Sequence, residues 1–191
     1  MRIILILAIM LALSTVSYAK EHKNIGGLNP DKLRVLSPAG DYELWNEDEI
    51  FVINPRGIDG AFFSDDIPEL ESSLEHNARY AVWSPDSRMV AVCIRTGKEI
   101  EDSFVLLRQP KDEWRCLRLP CDDPDAHAVP LRWLDATTVV IEISGSYGGK
   151  STEESVMAHY VYTMTLKYDR KKNRFIKASE TKPRYPYQDK T

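Results

Sequence analysis

Val82-Trp83-Ser84-Pro85-Asp86-Ser87 is the stretch of this 191-residue chain that decides its fold. Proline presets the backbone for a turn, and the side chains of Asp and Ser can hydrogen-bond to nearby main-chain amides. Segments rich in β-branched and aromatic residues, Tyr80–Trp83 and Met89–Ile94, flank this turn and are typical of strands. The stretch therefore predicts two strands joined by a Ser-Pro turn.

The same pattern occurs three times. Ser37-Pro38-Ala39-Gly40 precedes the strand-like segment Tyr42–Trp45, and Trp133-Leu134-Asp135 precedes Val139–Ile143 in a more divergent copy. Counted from Ser37, Ser84 and Leu134, successive copies lie 47 and 50 residues apart. A repeat period in this range indicates small stacked β-sheets, each of the size of a propeller blade.

Each copy predicts four short antiparallel strands, so we expect an all-β fold of blade-like sheets in one domain. The predicted repeats cover about 33–78, 79–128 and 129–178. In the first copy the predicted strands are Leu33–Leu36, Tyr42–Trp45, Glu49–Ile53 and a poor fourth near Ala61–Phe63. In the second they are Tyr80–Trp83, Met89–Ile94, Ser103–Leu107 and Trp114–Leu117. In the third they are Leu131–Trp133, Thr138–Ile143, Tyr160–Tyr168 and Arg174–Lys177.

The phrase Trp83-Ser84-Pro85-Asp86-Ser87, followed by the apolar strand Met89–Ile94, resembles the WD-repeat-like propeller repeat of TolB-type and prolyl-oligopeptidase-type proteins. Ser37 and Pro38 keep part of the motif, and Trp133 keeps its tryptophan. The resemblance implies exported proteins whose sheets surround an axis and bind partners through loops. Propellers typically close with four to eight blades, whereas three copies are visible here. A fourth blade from the termini, an open stack and completion by a second protomer all remain open.

The termini are expected to lie outside the repeats. Met1-Arg2 is a basic start, Ile3–Leu13 is apolar, and Ser17-Tyr18-Ala19 fits a signal-peptidase site, so residues 1–19 predict a signal peptide. The apolar run is shorter than the roughly 20 residues that span a bilayer. We therefore expect export to the periplasm or the medium, with no stable membrane insertion after cleavage. Residues 179–191 predict a frayed polar tail.

Charge and residue clusters argue against several classes of ligand. The formal net charge of −4 gives no general attraction to nucleic acid. The loop Cys121–His127 contains three carboxylates and an imidazole, but a solvated acidic loop is the favoured interpretation, and no metal or other cofactor is predicted. Export permits disulfides, and the spacing of Cys116 and Cys121 predicts a bridge between them, with Cys93 as a small buried hydrophobe.

The segment Ser144-Gly145-Ser146-Tyr147-Gly148-Gly149 is the sharpest candidate site. It resembles the nucleophile elbow of the peptidases that carry a propeller, with Ser146 as the nucleophile. Ser144, however, occupies the position of the first glycine, no helix is expected to follow, and His159 has no evident reason to face Ser146. We therefore predict no catalytic residue and interpret Ser144–Ser155 as a glycine-rich loop. Such long insertions often form the binding edge of a repeat protein.

Together these observations predict an exported, soluble, non-catalytic protein of the bacterial cell envelope that binds a protein partner. The expected contact residues are in the glycine-rich loop: Ser144, Ser146, Tyr147, Gly148 and Gly149. Two alternatives were weighed: a secreted inhibitor of a hydrolase that inserts this loop into its partner, and a serine hydrolase that uses Ser146. A homo-oligomer is compatible with the incomplete set of blades.

Overall fold

The protein's structure, a computed structural model, describes residues 33–47, 50–56, 62–64, 77–95, 101–123, 125–148 and 157–185. The strands are β1 (Arg34–Leu36), β2 (Tyr42–Glu47), β3 (Ile50–Pro55), β4 (Phe62–Phe63), β5 (Ala78–Trp83), β6 (Met89–Arg95), β7 (Glu101–Arg108), β8 (Trp114–Arg118), β9 (His127–Trp133), β10 (Thr138–Gly148), β11 (Met157–Asp169) and β12 (Arg174–Glu180). Pro110–Asp112 forms a turn of 3₁₀ helix between β7 and β8. Within these ranges no helix is long and apolar enough to cross a membrane.

The strands form three four-stranded antiparallel sheets, one for each predicted repeat. The orders are β1-β2-β3-β4, β5-β6-β7-β8 and β9-β10-β11-β12, so neighbours in sequence are neighbours in each sheet. This confirms the all-β class and the blade-like sheets, and it is compatible with a partial propeller. In the first sheet the fourth strand is only two residues long, as its weak sequence signal suggested.

The second sheet is the middle layer and is buried on both faces. Alternate residues of β6 enter different cores: Val90 and Val92 pack toward the first sheet, whereas Met89 and Ala91 pack toward the third. A strand covered on both sides needs apolar residues at every position, which explains the uninterrupted run Met89–Ile94. No buried core cluster joins the first and third sheets within the described ranges, so the three sheets form an open stack there.

Two tryptophans at equivalent repeat positions connect successive sheets. The indole Nε1 of Trp83 donates to the carbonyl of Val35 at 3.2 Å, and that of Trp133 donates to the carbonyl of Val82 at 2.9 Å. Val35 and Val82 themselves occupy equivalent positions in the first strand of their sheets. Each tryptophan therefore both fills the space between two sheets and fixes their relative register, because a buried indole N–H requires a partner.

Side chains also connect the sheets through main-chain groups. Asn46 donates to the carbonyl of Ala78 at 2.9 Å and accepts from its amide at 3.0 Å, so its side chain replaces a strand neighbour. The buried hydroxyl of Ser103 donates to the carbonyl of Ala128 at 2.6 Å, between the second and third sheets. These bonds satisfy polar groups at places where the layers meet.

The third sheet differs from its prediction at both ends of its long hairpin. β10 continues to Gly148 and β11 begins at Met157, so Ser144–Gly148 are strand residues and not part of a loop. β12 reaches Glu180, and Arg184 pairs with Val161, so residues 179–184 do not form the start of a frayed tail. The prediction failed there because Gly, Ser and polar residues have weak strand propensity but are held by a long neighbouring strand. The predicted signal peptide, residues 1–19, lies outside the described residues.

The outer faces of the stack differ in composition. On the first sheet the face away from the second sheet is mixed: Leu36 and Phe63 are 47% and 39% exposed, Val52 is buried, and Arg34 pairs with Glu43. On the third sheet the corresponding face of β11 carries polar residues, among them Thr163, Thr165 and Lys167. A polar face suits contact with water, as is usual for one side of an antiparallel sheet.

Candidate functional site

The two well-preserved Ser-Pro turns have the same hydrogen-bonding geometry. Ser37 Oγ accepts from the amide of Tyr42 at 3.0 Å and donates to Asp41 at 2.7 Å. Ser84 Oγ accepts from the amide of Met89 at 3.0 Å and donates to Asp86 at 2.7 Å. Both serines are buried. Their main-chain N–H groups donate to the carbonyls of Tyr42 and Met89, the first residues of the following strands. The motif residues Ser37, Pro38, Ser84, Pro85 and Asp86 thus lie in turns, where their role is structural.

The third turn replaces the serine by another arrangement. Leu134 donates its amide to the carbonyl of Thr138, and Asp135 accepts from the amide of Thr137 at 2.7 Å and from the hydroxyl of Thr138 at 2.9 Å. Partial burial raises the pKa of Asp135, but these hydrogen bonds outweigh burial and lower it overall. In this turn the Asp135 carboxylate accepts a main-chain N–H, as the serine hydroxyl does in the other two turns.

The predicted binding segment is one arm of a two-stranded ribbon. β9 accompanies β10 only from Val139 to Ser144, while β10 stays paired with β11 as far as Gly148↔Met157. On the other side, β12 and Arg184 accompany β11 no further than Val161. Within the described part of the chain, Gly145–Gly148 and Met157–Tyr160 therefore run beyond the neighbouring strands. Ser144 lies at the base of this ribbon, Ser146, Tyr147 and Gly148 lie within it, and Gly149 lies outside the described residues.

Gly145 has a steric role in the ribbon. A Cβ built on Gly145 would lie 2.4 Å from the hydroxyl oxygen of Tyr160, its partner across the strands, so only glycine leaves room for the ring. The Tyr160 hydroxyl donates to Asp123 in the loop before β9. Burial, together with this carboxylate, raises the pKa of Tyr160 and keeps the phenol neutral. The glycine pattern thus has a packing explanation, and the geometry is an extended strand where a nucleophile elbow requires a sharp turn.

Ser146 and His159 lie directly opposite each other in the register of β10 and β11. This corrects the expectation that His159 has no reason to face Ser146, because the register of a hairpin brings residues of its two strands together. Both residues are exposed on the outward side of the ribbon. Ser144 and His127 are likewise opposite each other between β10 and β9, and His127 Nδ1 lies 3.7 Å from Glu101 Oε2. This face therefore combines hydroxyl and imidazole groups along the base of the ribbon.

The acidic loop Cys121–His127 distributes its carboxylates among different partners. Asp122 pairs with Lys177 at 2.9 Å, and Asp123 accepts from Tyr160 and from the amide of Asp125. Across the described ranges, no three His, Cys, Asp or Glu side chains come together in a way that could hold a metal ion. The loop's observed role is to support the base of the ribbon.

The predicted Cys116–Cys121 disulfide is wrong. Cys93, Cys116 and Cys121 form no disulfide bond. Cys116 points into the core between the first and second sheets, whereas Cys121 packs against the core between the second and third, so the two thiols lie on opposite sides of the middle sheet. Burial raises the pKa of the Cys93 thiol well above its usual value and also raises that of Cys121, so both stay protonated.

No protein-family model and no curated protein matches this chain.

Proposed function

We propose that this chain is an exported, non-catalytic protein of the bacterial cell envelope that binds a protein partner through the ribbon Gly145–Gly148 and Met157–Tyr160. The observation that supports this proposal is the extension of both strands beyond β9 and β12. Strand edges offer main-chain donors and acceptors, and an extended segment of a partner can add to them as a further strand. The partner is thus expected to contribute an extended segment.

Three further features support the proposal. The sequence of residues 1–19 has the pattern of a signal peptide, which would direct the chain to the envelope. The blade-like sheets fit the WD-repeat-like, TolB-type resemblance, which implies partner binding through loops. The residues of the Ser-Pro motifs are engaged in turns and inter-sheet bonds, so they stabilise a rigid scaffold for the ribbon.

A photo-crosslinking residue at His159 tests the contact, with Lys167 as the matched control position. Both positions are exposed on β11 and point to the same side, but only His159 lies in the ribbon. With purified mature chain in an envelope extract, adducts to a partner are expected from position 159 and not from position 167. Equal adducts from both positions would argue against the ribbon as the contact.

A shortened ribbon provides the second test. Replacing residues 146–159 by an Asn-Gly turn retains the Gly145–Tyr160 pair and favours a tight hairpin. The variant is expected to unfold at the same temperature as the parent chain and to lose the partner. If it keeps full partner affinity, the binding surface lies elsewhere. If the partner is a hydrolase whose activity falls on binding of the parent chain, the inhibitor alternative is supported.

The opposed pair Ser146 and His159 favours a second candidate, hydrolysis with Ser146 as nucleophile and His159 as base. The extended strand and the exposed position favour the binding function over this candidate, because a nucleophile elbow holds its serine in a sharp turn between a strand and a helix. A fluorophosphonate probe separates the two. Labelling of Ser146 that disappears in His159→Gln would support hydrolysis, and absence of labelling is the result expected for a binding protein.

A further inference from the structure

The hairpin between β11 and β12 concentrates positive charge at the end of the third sheet that lies opposite the ribbon. Five of the eight residues from 167 to 174 are basic, and all five are exposed. We refer to these five residues as the basic corner: Lys167, Arg170, Lys171, Lys172 and Arg174. Since the whole chain has a formal net charge of −4, the basic corner reverses the average charge of the protein.

The two carboxylates beside the basic corner are used to hold turns. Asp169 Oδ1 accepts from the amides of Lys171 at 2.9 Å and Lys172 at 3.2 Å, which fixes the hairpin turn. Asp135, in the adjacent turn after β9, accepts from the amide of Thr137 at 2.7 Å. Counted with these two carboxylates, the corner has five positive and two negative charges, a net charge of +3.

The basic side chains of the corner have no ion-pair partner among the described residues. Other basic residues do: Arg34 pairs with Glu43, and Arg118 pairs with Asp102, both at 2.6 Å. An anionic surface that neutralises the corner therefore breaks no existing ion pair. Such a concentration of exposed positive charge attracts anionic surfaces over about a Debye length.

An exposed apolar side chain lies beside the basic corner. Leu134, in the turn after β9, is 55% exposed, more than any other large apolar residue in the described ranges. The amide of Tyr168 donates to the carbonyl of Thr137 at 2.8 Å and so holds this turn against the start of the hairpin. On the outer face, Ile176 is 37% exposed and lies opposite Lys167. The corner thus combines exposed basic and apolar side chains.

We infer that the basic corner and Leu134 bind the surface of a membrane that contains anionic phospholipids. The lysine and arginine side chains contact lipid phosphates, and Leu134 enters the boundary between the headgroups and the acyl chains. Charge alone would suit a nucleic acid equally well, but a bilayer also offers an apolar layer beneath its charged surface, which accommodates the exposed leucine. This binding is peripheral and leaves the ribbon accessible, because the ribbon is at the other end of β11. The inference does not depend on a protein partner.

Cosedimentation with vesicles tests this inference. The chain without residues 1–19 is mixed at low ionic strength with vesicles of equal parts phosphatidylglycerol and phosphatidylcholine, and separately with vesicles of phosphatidylcholine alone. We expect binding to the neutral vesicles to be weaker by about tenfold or more, because they carry no net negative charge. Binding to the anionic vesicles should be lost in about 1 M sodium chloride, where the Debye length is about 3 Å.

Two double variants remove the same number of charges at different ends of β11. Lys171→Gln/Lys172→Gln should weaken binding to anionic vesicles about 25-fold, at about fivefold for each removed charge. Lys182→Gln/Arg184→Gln is the matched control, because both residues are exposed near the other end of β11, and it should bind as the parent chain does. Leu134→Ser keeps every charge and should weaken binding about fivefold through loss of apolar contact.

Several results would overturn the inference. Equal binding of the parent chain to neutral and anionic vesicles would do so, as would equal losses in the two double variants. If the parent chain binds duplex DNA or polyglutamate as tightly as anionic vesicles, and Leu134→Ser has no effect on vesicle binding, the corner attracts any polyanion and the membrane is not its partner. Thermal unfolding checks that each variant keeps the fold, and the comparison of vesicle types with the parent chain needs no variant.

Discussion

The Ser37 and Ser84 turns make the same local hydrogen bonds but occupy different places in the stack. The residue before Ser84 is Trp83, which is 6% exposed and bonded to the preceding sheet, whereas the residue before Ser37 is Leu36, which is 47% exposed. The left-handed position is Gly40 in the first turn and Ser87 in the second. Ser87 accepts from the amide of Ala39 in the first turn at 2.9 Å, a bond that Gly40 has no side chain to make.

One repeat therefore contains two kinds of residue: those that form the turn and those that contact the preceding sheet. The serine and a nearby carboxylate form the turn and need no neighbouring sheet, since Asp41 and Asp86 serve equally from different positions along the chain. The tryptophan and Ser87 form contacts with a preceding sheet, and they occur where such a sheet is present. Turn-forming residues are therefore present in every copy of the repeat. Residues that contact a preceding sheet are present only in the copies that pack on one.

The largest effect is expected from removing a stacking tryptophan. Trp83→Ala should reduce the free energy of unfolding by about 3–5 kcal/mol, because a buried aromatic side chain leaves a cavity. It also packs against Tyr42 and Trp114, at ring-centroid distances of 6.3 and 6.0 Å. Trp133→Ala should cost less, since Trp133 is partly exposed. Urea unfolding of both variants measures the difference, and a larger loss for Trp133 would contradict the proposed roles.

Removing the turn serines should produce a smaller and nearly equal loss in both copies. Ser37→Ala and Ser84→Ala each leave a buried amide without its acceptor, which costs about 1–3 kcal/mol. Similar losses of unfolding free energy in the two variants would support turns that form by local hydrogen bonds, independently of the neighbouring sheets. Ser179→Ala in β12 is the control and should change stability by less than about 0.5 kcal/mol, because Ser179 is exposed. A neutral Ser37→Ala would show that the first turn is held by other contacts.

Alanine should destabilise the protein at both left-handed positions, but for different reasons. Gly40→Ala should destabilise by about 1 kcal/mol: a Cβ would meet no atom within 4 Å, but the φ of +74° disfavours side chains. Ser87→Ala should cost about 1 kcal/mol through loss of the Ala39 bond. Ser87→Gly should cost less than Ser87→Ala, because glycine adopts the φ of 58° without strain. Chemical denaturation measures the free energies of unfolding of the variants. A lower stability of Ser87→Gly than of Ser87→Ala would contradict this explanation.

The smallest effect concerns pH and the third turn. The pKa of Asp135 is lowered from its ordinary value of 3.8 in the folded state. Its contribution to stability is therefore fully present above that value and is lost as the pH falls through the lower folded pKa. Asp135→Asn should reduce the dependence of the unfolding temperature on pH below about 4, as measured by thermal unfolding. An unchanged acid dependence would mean that Asp135 does not anchor the turn.

The sequence was most informative where local chemistry decides the structure. Each of the twelve strands in the described part of the chain overlaps a predicted strand, including the two-residue β4, because alternation and turn residues act over a few positions. It was least informative at the ribbon. Gly145 was interpreted as part of a loop, yet it is a strand residue whose missing side chain accommodates Tyr160. The opposition of Ser146 and His159 was also missed, since a register through residues that lack strand propensity cannot be derived from composition.

The sequence by itself determined the all-β class, the number of sheets and the turns, because each depends on residues close together in the chain. Only the tertiary structure decided that the second sheet is the buried middle layer and that Cys116 and Cys121 lie in different cores. These features depend on which faces meet, and a face is defined by packing between segments far apart in sequence. The Ser84 phrase thus specifies a turn by its own atoms, whereas Trp83 acquires its role from the sheet on which it packs.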